Sequence, residues 1–353
     1  MNLPQAGEAI ALASRSRRLP RGSRSASCGS ANSLTVSARL LSCIRGAVRE
    51  QRLTPIRLFP LGACQLGAPL APLAVSNRVW LSSVQIGLGS ISCYTMAECL
   101  QRIRFCRGEF DVPDRFRFYC NLPRAFDPVA QNARRVEDVD LVLLEPNSPI
   151  GTFFDAYALN RSTLLTGFIN ALAQLGSETS KATSAWFQRG LLGCNDESLR
   201  EAAQALLPLI DDRFDDPATI RDLLLGARGR PQDLKAYVDS IAELRDMVGR
   251  PIGLVAYIHQ YLPDGRPLPW PPDHLENTIQ AAQRLGIPLF NPMVVVQEHG
   301  VASAMDEQRK LYRNEFCPVI GEALFDFCQA IVDEAQSGAR EVPAKDLAIA
   351  AQA

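Results

Sequence analysis

From Pro55 onward, short apolar runs alternate with longer stretches in which apolar residues recur at three- and four-residue steps. The short runs predict strands at Ile56 to Leu61, Val79 to Ile86, Val139 to Glu145, Ile252 to His259 and Ile287 to Asn291, each bounded by Gly, Pro or Asn. The longer stretches predict helices over Thr95 to Phe105, Arg161 to Leu175, His274 to Leu285 and Tyr312 to Glu334. Strands interleaved with helices make a parallel sheet covered on both faces. The expected fold is therefore α/β: a flavodoxin-like three-layer sandwich on a five-stranded parallel sheet, with ligands outside the carboxyl ends of the strands.

More than a hundred residues separate the third and fourth strands, far beyond one crossover helix. The excess, Ser177 to Gly249, reads as an all-helical insertion. Asn195 caps Glu197 to Leu206, Pro217 fits the first turn of a helix through Leu225, and Asp233 to Met247 is amphipathic. Such an insertion is expected to be a lid, a partner surface or a packing elaboration. Residues 54–338 then form one α/β domain with the insertion at 177–249, flanked by tails at 1–53 and 339–353. Between Glu8 and Glu50 there is no acidic residue, while arginines sit among serines and glycines. That composition builds no core and reads as a disordered basic tail or a targeting segment.

Composition narrows the function. The 353 residues are 47% hydrophobic with a net charge of -1, enough for a packed core and too little positive charge for nucleic acid. No run approaches the ~20 apolar residues of a membrane span. Ten cysteines without a CxxC pair read as buried hydrophobes of a reducing cytoplasm. Three histidines (His259, His274 and His299), none at ligand spacing from another, give no metal site. Nucleotide loops and a GxSxG elbow are absent from the sequence. Arg102, Arg104 and Arg107 are candidates to meet an anionic substrate, or else a solvated face.

The chemistry concentrates at Gly62-Ala63-Cys64-Gln65, where the first strand stops and a helix can begin. A thiol there, at a helix N-terminus, is placed to be a thiolate nucleophile. Cys93 is a rival, in a loop ahead of a helix that Ser92 or Thr95 would cap. His259, at a strand end, reaches the cleft or is a satisfied strand-end histidine. His274, behind the expected N-cap Asp273, is given no chemical role.

The Gly62-Ala63-Cys64-Gln65 block resembles the first block of the SGNH/GDSL hydrolase superfamily, with cysteine in place of serine. More narrowly, it is similar to the GNCQ opening of a bacterial family of polysaccharide-biosynthesis acetyltransferases with an SGNH-like fold. The resemblance implies Cys64 as nucleophile, with Gln65, Gly89 and Asn147 binding the oxyanion or substrate. It implies acyl transfer or ester hydrolysis on a carbohydrate-linked substrate, with acetyl-CoA as a co-substrate rather than a bound cofactor.

The last block departs from the superfamily's Asp-x-x-His. Counting from Asp306 places Arg309 at the histidine position, and aligning Tyr312 instead places Leu311 there; neither takes a proton. Three readings stay open. His299 supplies the imidazole, oriented by Glu298 or Asp306; or a helix N-terminus and Arg309 hold the thiolate without a base; or the site binds a glycan or acyl ester without turnover.

Overall fold

The computed structural model describes residues 54–81, 92–122, 138–257, 273–306 and 311–337. In chain order these are β1 (Ile56–Leu61), α1 (Cys64–Val75), β2 (Val79–Leu81), α2 (Met96–Cys106), α3 (Asp114–Arg117), β3 (Leu141–Leu144), β4 (Ile150–Phe154) and β5 (Tyr157–Leu159). A helical run over 161–173, α4, and another over 177–191, α5, each contain a wider π-helical stretch. There follow α6 (Asp196–Leu206), α7 (Pro217–Gly226), β6 (Arg228–Pro231), α8 (Leu234–Val248), β7 (Ile252–Val255) and α9 (Asp273–Leu285). The last elements are β8 (Leu289–Phe290), α10 (Pro292–His299), α11 (Val301–Ala304) and α12 (Cys317–Ser337).

Five strands form one parallel sheet in the order β2-β1-β3-β7-β8, with Leu61 opposite Leu144 and Leu144 opposite Leu254 across its centre. The flavodoxin-like order is the expected one, and the three-layer arrangement follows from side-chain alternation. Ile56, Leu58, Leu141 and Leu143 pack one face against α1 and α12 through Leu66, Leu70, Leu324 and Cys328. Phe59, Leu61, Val142, Leu144 and Leu254 point the other way, into a second core with α2, α8 and α9. Buried on both faces, these strands show continuous apolar runs rather than alternation. α1 and α12 touch closely: a side chain at Gly321 would meet the Pro69 carbonyl oxygen at 2.8 Å.

Asn195 caps its helix as expected, and two aspartates not singled out as caps in the sequence cap two further helices of the insertion. The Asn195, Asp216 and Asp233 side chains accept from the amides of Ser198, Thr219 and Ala236. Its core is continuous with the second sheet face through Trp186, Leu199, Leu223 and Ile241. The insertion is not all-helical, however. β6 lies within it and pairs antiparallel with β4, which also pairs with β5, making a small three-stranded sheet. The Arg228-Gly229-Arg230-Pro231 segment has no apolar residue to announce a strand; its backbone is extended because β4 supplies partners. Residues 1–53 and 338–353 lie outside the described residues.

Candidate functional site

The carboxyl ends of β1 and β3 meet in a short polar layer. β1 runs into Gly62 and Ala63, and Cys64 is the first residue of the twelve-residue α1, so the cysteine stands at the positive end of a helix. Ala63 occupies the N-cap without a side chain to cap with. Glu145, the residue after β3, does that work: its Oε2 accepts from the Ala63 amide at 2.8 Å, while its own amide donates to the Leu61 carbonyl at 2.8 Å. Gly62 makes the approach possible, since a Cβ there would lie 2.7 Å from the Glu145 Cβ and 3.0 Å from Oε2.

Glu145 is 1% exposed, and burial pushes its carboxyl up to about 8 against the pull of the Ala63 and Leu66 amides. It therefore keeps its proton at neutral pH. Tyr312, just ahead of α12, is raised as well, first by burial and then by the Glu145 charge.

Residues 56–327, more than half of the chain, match the family described as the TviD N-terminal domain. The chain belongs to that family. No curated protein and no solved structure matches it.

The TviD N-terminal domain match spans the turn at Cys64, the insertion, and the elements up to α12. Within it, Asn147 sits beside the turn. Its amide and that of Ser148 donate to the Tyr94 carbonyl at 3.0 and 2.9 Å, tying the β3 exit to the segment that bridges Gly62 through Ser92. Asn147 Oδ1 accepts from Arg161 Nη2 at 3.4 Å. Nδ2 is thus the donor end of the amide, with no hydrogen bond among the described residues. Gln65 is 5% exposed in the first turn of α1. Gly89, His259 and Arg309 lie outside the described residues, as does the Cys64 side chain.

The proton-handling candidates stand apart from each other. His299 ends α10, exposed, with Nδ1 3.0 Å from the Val295 carbonyl and its ring edge-on to Phe316 at 5.3 Å. Neither Glu298 nor Asp306 hydrogen-bonds it among the described residues. Asp306 instead exchanges bonds with Leu311, its amide donating at 2.8 Å and its Oδ1 accepting at 3.4 Å. Cys93 is no open nucleophile: it is 2% exposed, and its thiol is lowered chiefly by a hydrogen bond with Cys99, which is raised in turn.

Several residues of the site escaped the sequence reading. Glu145 was visible only as the acid that ends a buried strand. Glu98, 4% exposed, accepts from Asn160 Nδ2 at 2.7 Å and from Thr95 Oγ1 at 3.2 Å, and burial raises it to about 7. Asn160 also donates to the Ser92 carbonyl at 2.9 Å and caps α4 through Ser162 and Thr163. His274 is buried beneath the β3 exit, with Nε2 2.8 Å from the Pro146 carbonyl. That contact ties α9 to the loop after β3; the Asp273 side chain expected to cap α9 lies outside the described residues. Among the described residues no His, Cys, Asp or Glu cluster is arranged to hold a metal, and no helix is long and apolar enough to cross a membrane.

Proposed function

We propose that this protein transfers an acyl group, acetyl in the first instance, to a carbohydrate in polysaccharide biosynthesis, with Cys64 as the residue that carries it. One observation supports this above the others: the cysteine opens a helix at the carboxyl end of β1, beside the central strand β3, on a turn clamped by a buried carboxyl. The family's connection to Vi antigen biosynthesis supports the carbohydrate context.

In this reading the Cys64 thiolate attacks the carbonyl carbon of a thioester or ester donor, forming an S–C bond. The tetrahedral oxyanion is met by Asn147 Nδ2, the Gly89 amide and the α1 amides at Cys64 and Gln65. The bond to the leaving thiol or alcohol breaks, and that group takes a proton. An acceptor hydroxyl then attacks the acyl-cysteine, loses its proton, and leaves as an ester while the thiolate is restored. His299 is the candidate for the proton transfers, while Asp306, bonded to Leu311, does not orient it in this arrangement. Glu145 is a positioning residue that holds the turn, and as a neutral carboxyl at pH 7 it does not oppose the thiolate.

The exposed His299, bonded to its own helix, favours a second reading in which the site binds a glycan or acyl ester without turnover. Intact-mass analysis after exposure to acetyl-CoA and to a reactive acetyl ester separates the two. One acetyl adduct, absent in Cys64→Ala, is expected; no adduct and no turnover leaves binding alone.

A further inference from the structure

The three arginines that the sequence offers to an anion are engaged elsewhere. Arg102, 2% exposed, donates to the Asn121 carbonyl; Arg104 pairs with Glu243; Arg107 holds Glu109 at 2.6 Å and the Met247 carbonyl. Arg161 differs from all of them. Its guanidinium lies over the Tyr94 ring, 4.8 Å from the centroid, and its single hydrogen bond among the described residues is the long one to Asn147 Oδ1. No carboxylate there lies within ion-pair distance of it. Glu98, the acid whose charge acts on it most, is held by Asn160 and Thr95.

A guanidinium offers five N–H donors in a planar fork. Leaving most of them idle while withdrawing the charge from water is unfavourable unless an anion completes the set. Arg161 remains partly open to solvent, so such an anion can reach it. Stacking on Tyr94 fixes the plane of the fork, and the Asn147 contact places it beside the candidate oxyanion donor.

We propose that Arg161, with Tyr94 and Asn147, forms an anion-recognition site for a carboxylate or phosphate group of the substrate. Bidentate pairing suits either oxyanion. The inference deepens the acyl-transfer reading and rests on it for the two sources considered, an acidic sugar acceptor or the phosphates of a coenzyme A donor.

The test is calorimetric titration of trigalacturonate, its methyl ester and coenzyme A into Cys64→Ala protein with Arg161 intact, as Gln or as Lys. The intact protein should bind at least one of the two anions. Arg161→Gln should weaken that anion about tenfold or more while leaving the neutral ester unchanged, and Arg161→Lys, which keeps the charge and loses the fork, should fall between. A loss confined to trigalacturonate puts the anion on the acceptor; one confined to coenzyme A puts it on the donor. Equal anion affinities with and without Arg161, or no anion binding by the intact protein, overturn the proposal. Should the Gln variant fail to fold, the Lys variant decides: affinity equal to the intact protein's refutes fork recognition. Because acylation is read separately, by intact mass on the protein that keeps Cys64, an adduct there with unaltered anion binding in Arg161→Gln refutes this site alone, whereas Arg161-dependent binding without any adduct refutes the nucleophile alone.

Discussion

Glu98 and Glu145 are both buried carboxyls at the same edge of the sheet, yet they are held in opposite ways. Glu98 is gripped mainly by side chains, Asn160 and Thr95, with the Arg161 charge and a backbone bond at Tyr94 beside them, within a knot that also reaches Ser92. Glu145 is gripped by backbone, the amides of Ala63 and Leu66, and little else opposes its burial. Burial raises both carboxyls, to about 7 for Glu98 and about 8 for Glu145, against the pull of their partners. Side-chain partners make Glu98 part of the scaffold. Backbone partners make Glu145 a local clasp on one turn, the turn that carries Cys64.

Breaking the knot should have the largest effect. Asn160→Ala removes the donor to Glu98, the donor to the Ser92 carbonyl and the cap of α4 together, so we expect a loss of about 3 kcal/mol in urea unfolding. A loss below about 1 kcal/mol would mean that the knot is not structural. Breaking the clasp should cost less: Gly62→Ala forces a methyl against Glu145 and Leu66, for about 2 kcal/mol, and should also slow acylation of Cys64. Unchanged acylation with reduced stability would separate the clasp from the chemistry.

The smallest and sharpest effect is in pH dependence. Both carboxyls have an ordinary value of 4.5 and are raised on folding, so the folded chain keeps protons that the unfolded chain has released. Stability from these groups is therefore full below about 4.5 and falls as pH rises, through about 7 for both and on to about 8 for Glu145 alone. Between pH 7 and 8 the Glu145 contribution amounts to at most about 1.4 kcal/mol per pH unit. Urea midpoints at the two pH values should show that slope in the native sequence and in Glu98→Gln, and a flatter one in Glu145→Gln. The same slope in all three would remove Glu145 from the account.

Much of the fold was legible because the sheet centre depends on apolar runs that nothing else explains. β1 starts and ends where the pattern places it, and Thr95 and Asn195 cap the helices they precede. β4, β5 and β6 were not legible: β4 and β5 form a short hairpin inside a stretch that carries no strand alternation, and β6 takes its strand character from pairing with β4, distant in sequence. The site was legible only along the chain. Cys64 and Asn147 could be picked out from strand ends, but Glu145 and Arg161 acquire their roles from what faces them across 82 and 14 residues, and single-chain patterns do not record facing.

The small β4–β6 ladder gives the insertion a mechanical attachment. Four residue pairs, Ile150 with Pro231 through Phe153 with Arg228, and the Gln232 amide on the Pro149 carbonyl at 2.6 Å stitch its strand to the chain just beyond Asn147. Together with the core that Trp186, Leu199, Leu223 and Ile241 share with the sheet, the seam pins the insertion to Pro149, two residues from Asn147, so the insertion and the sheet's carboxyl edge are anchored at a common point.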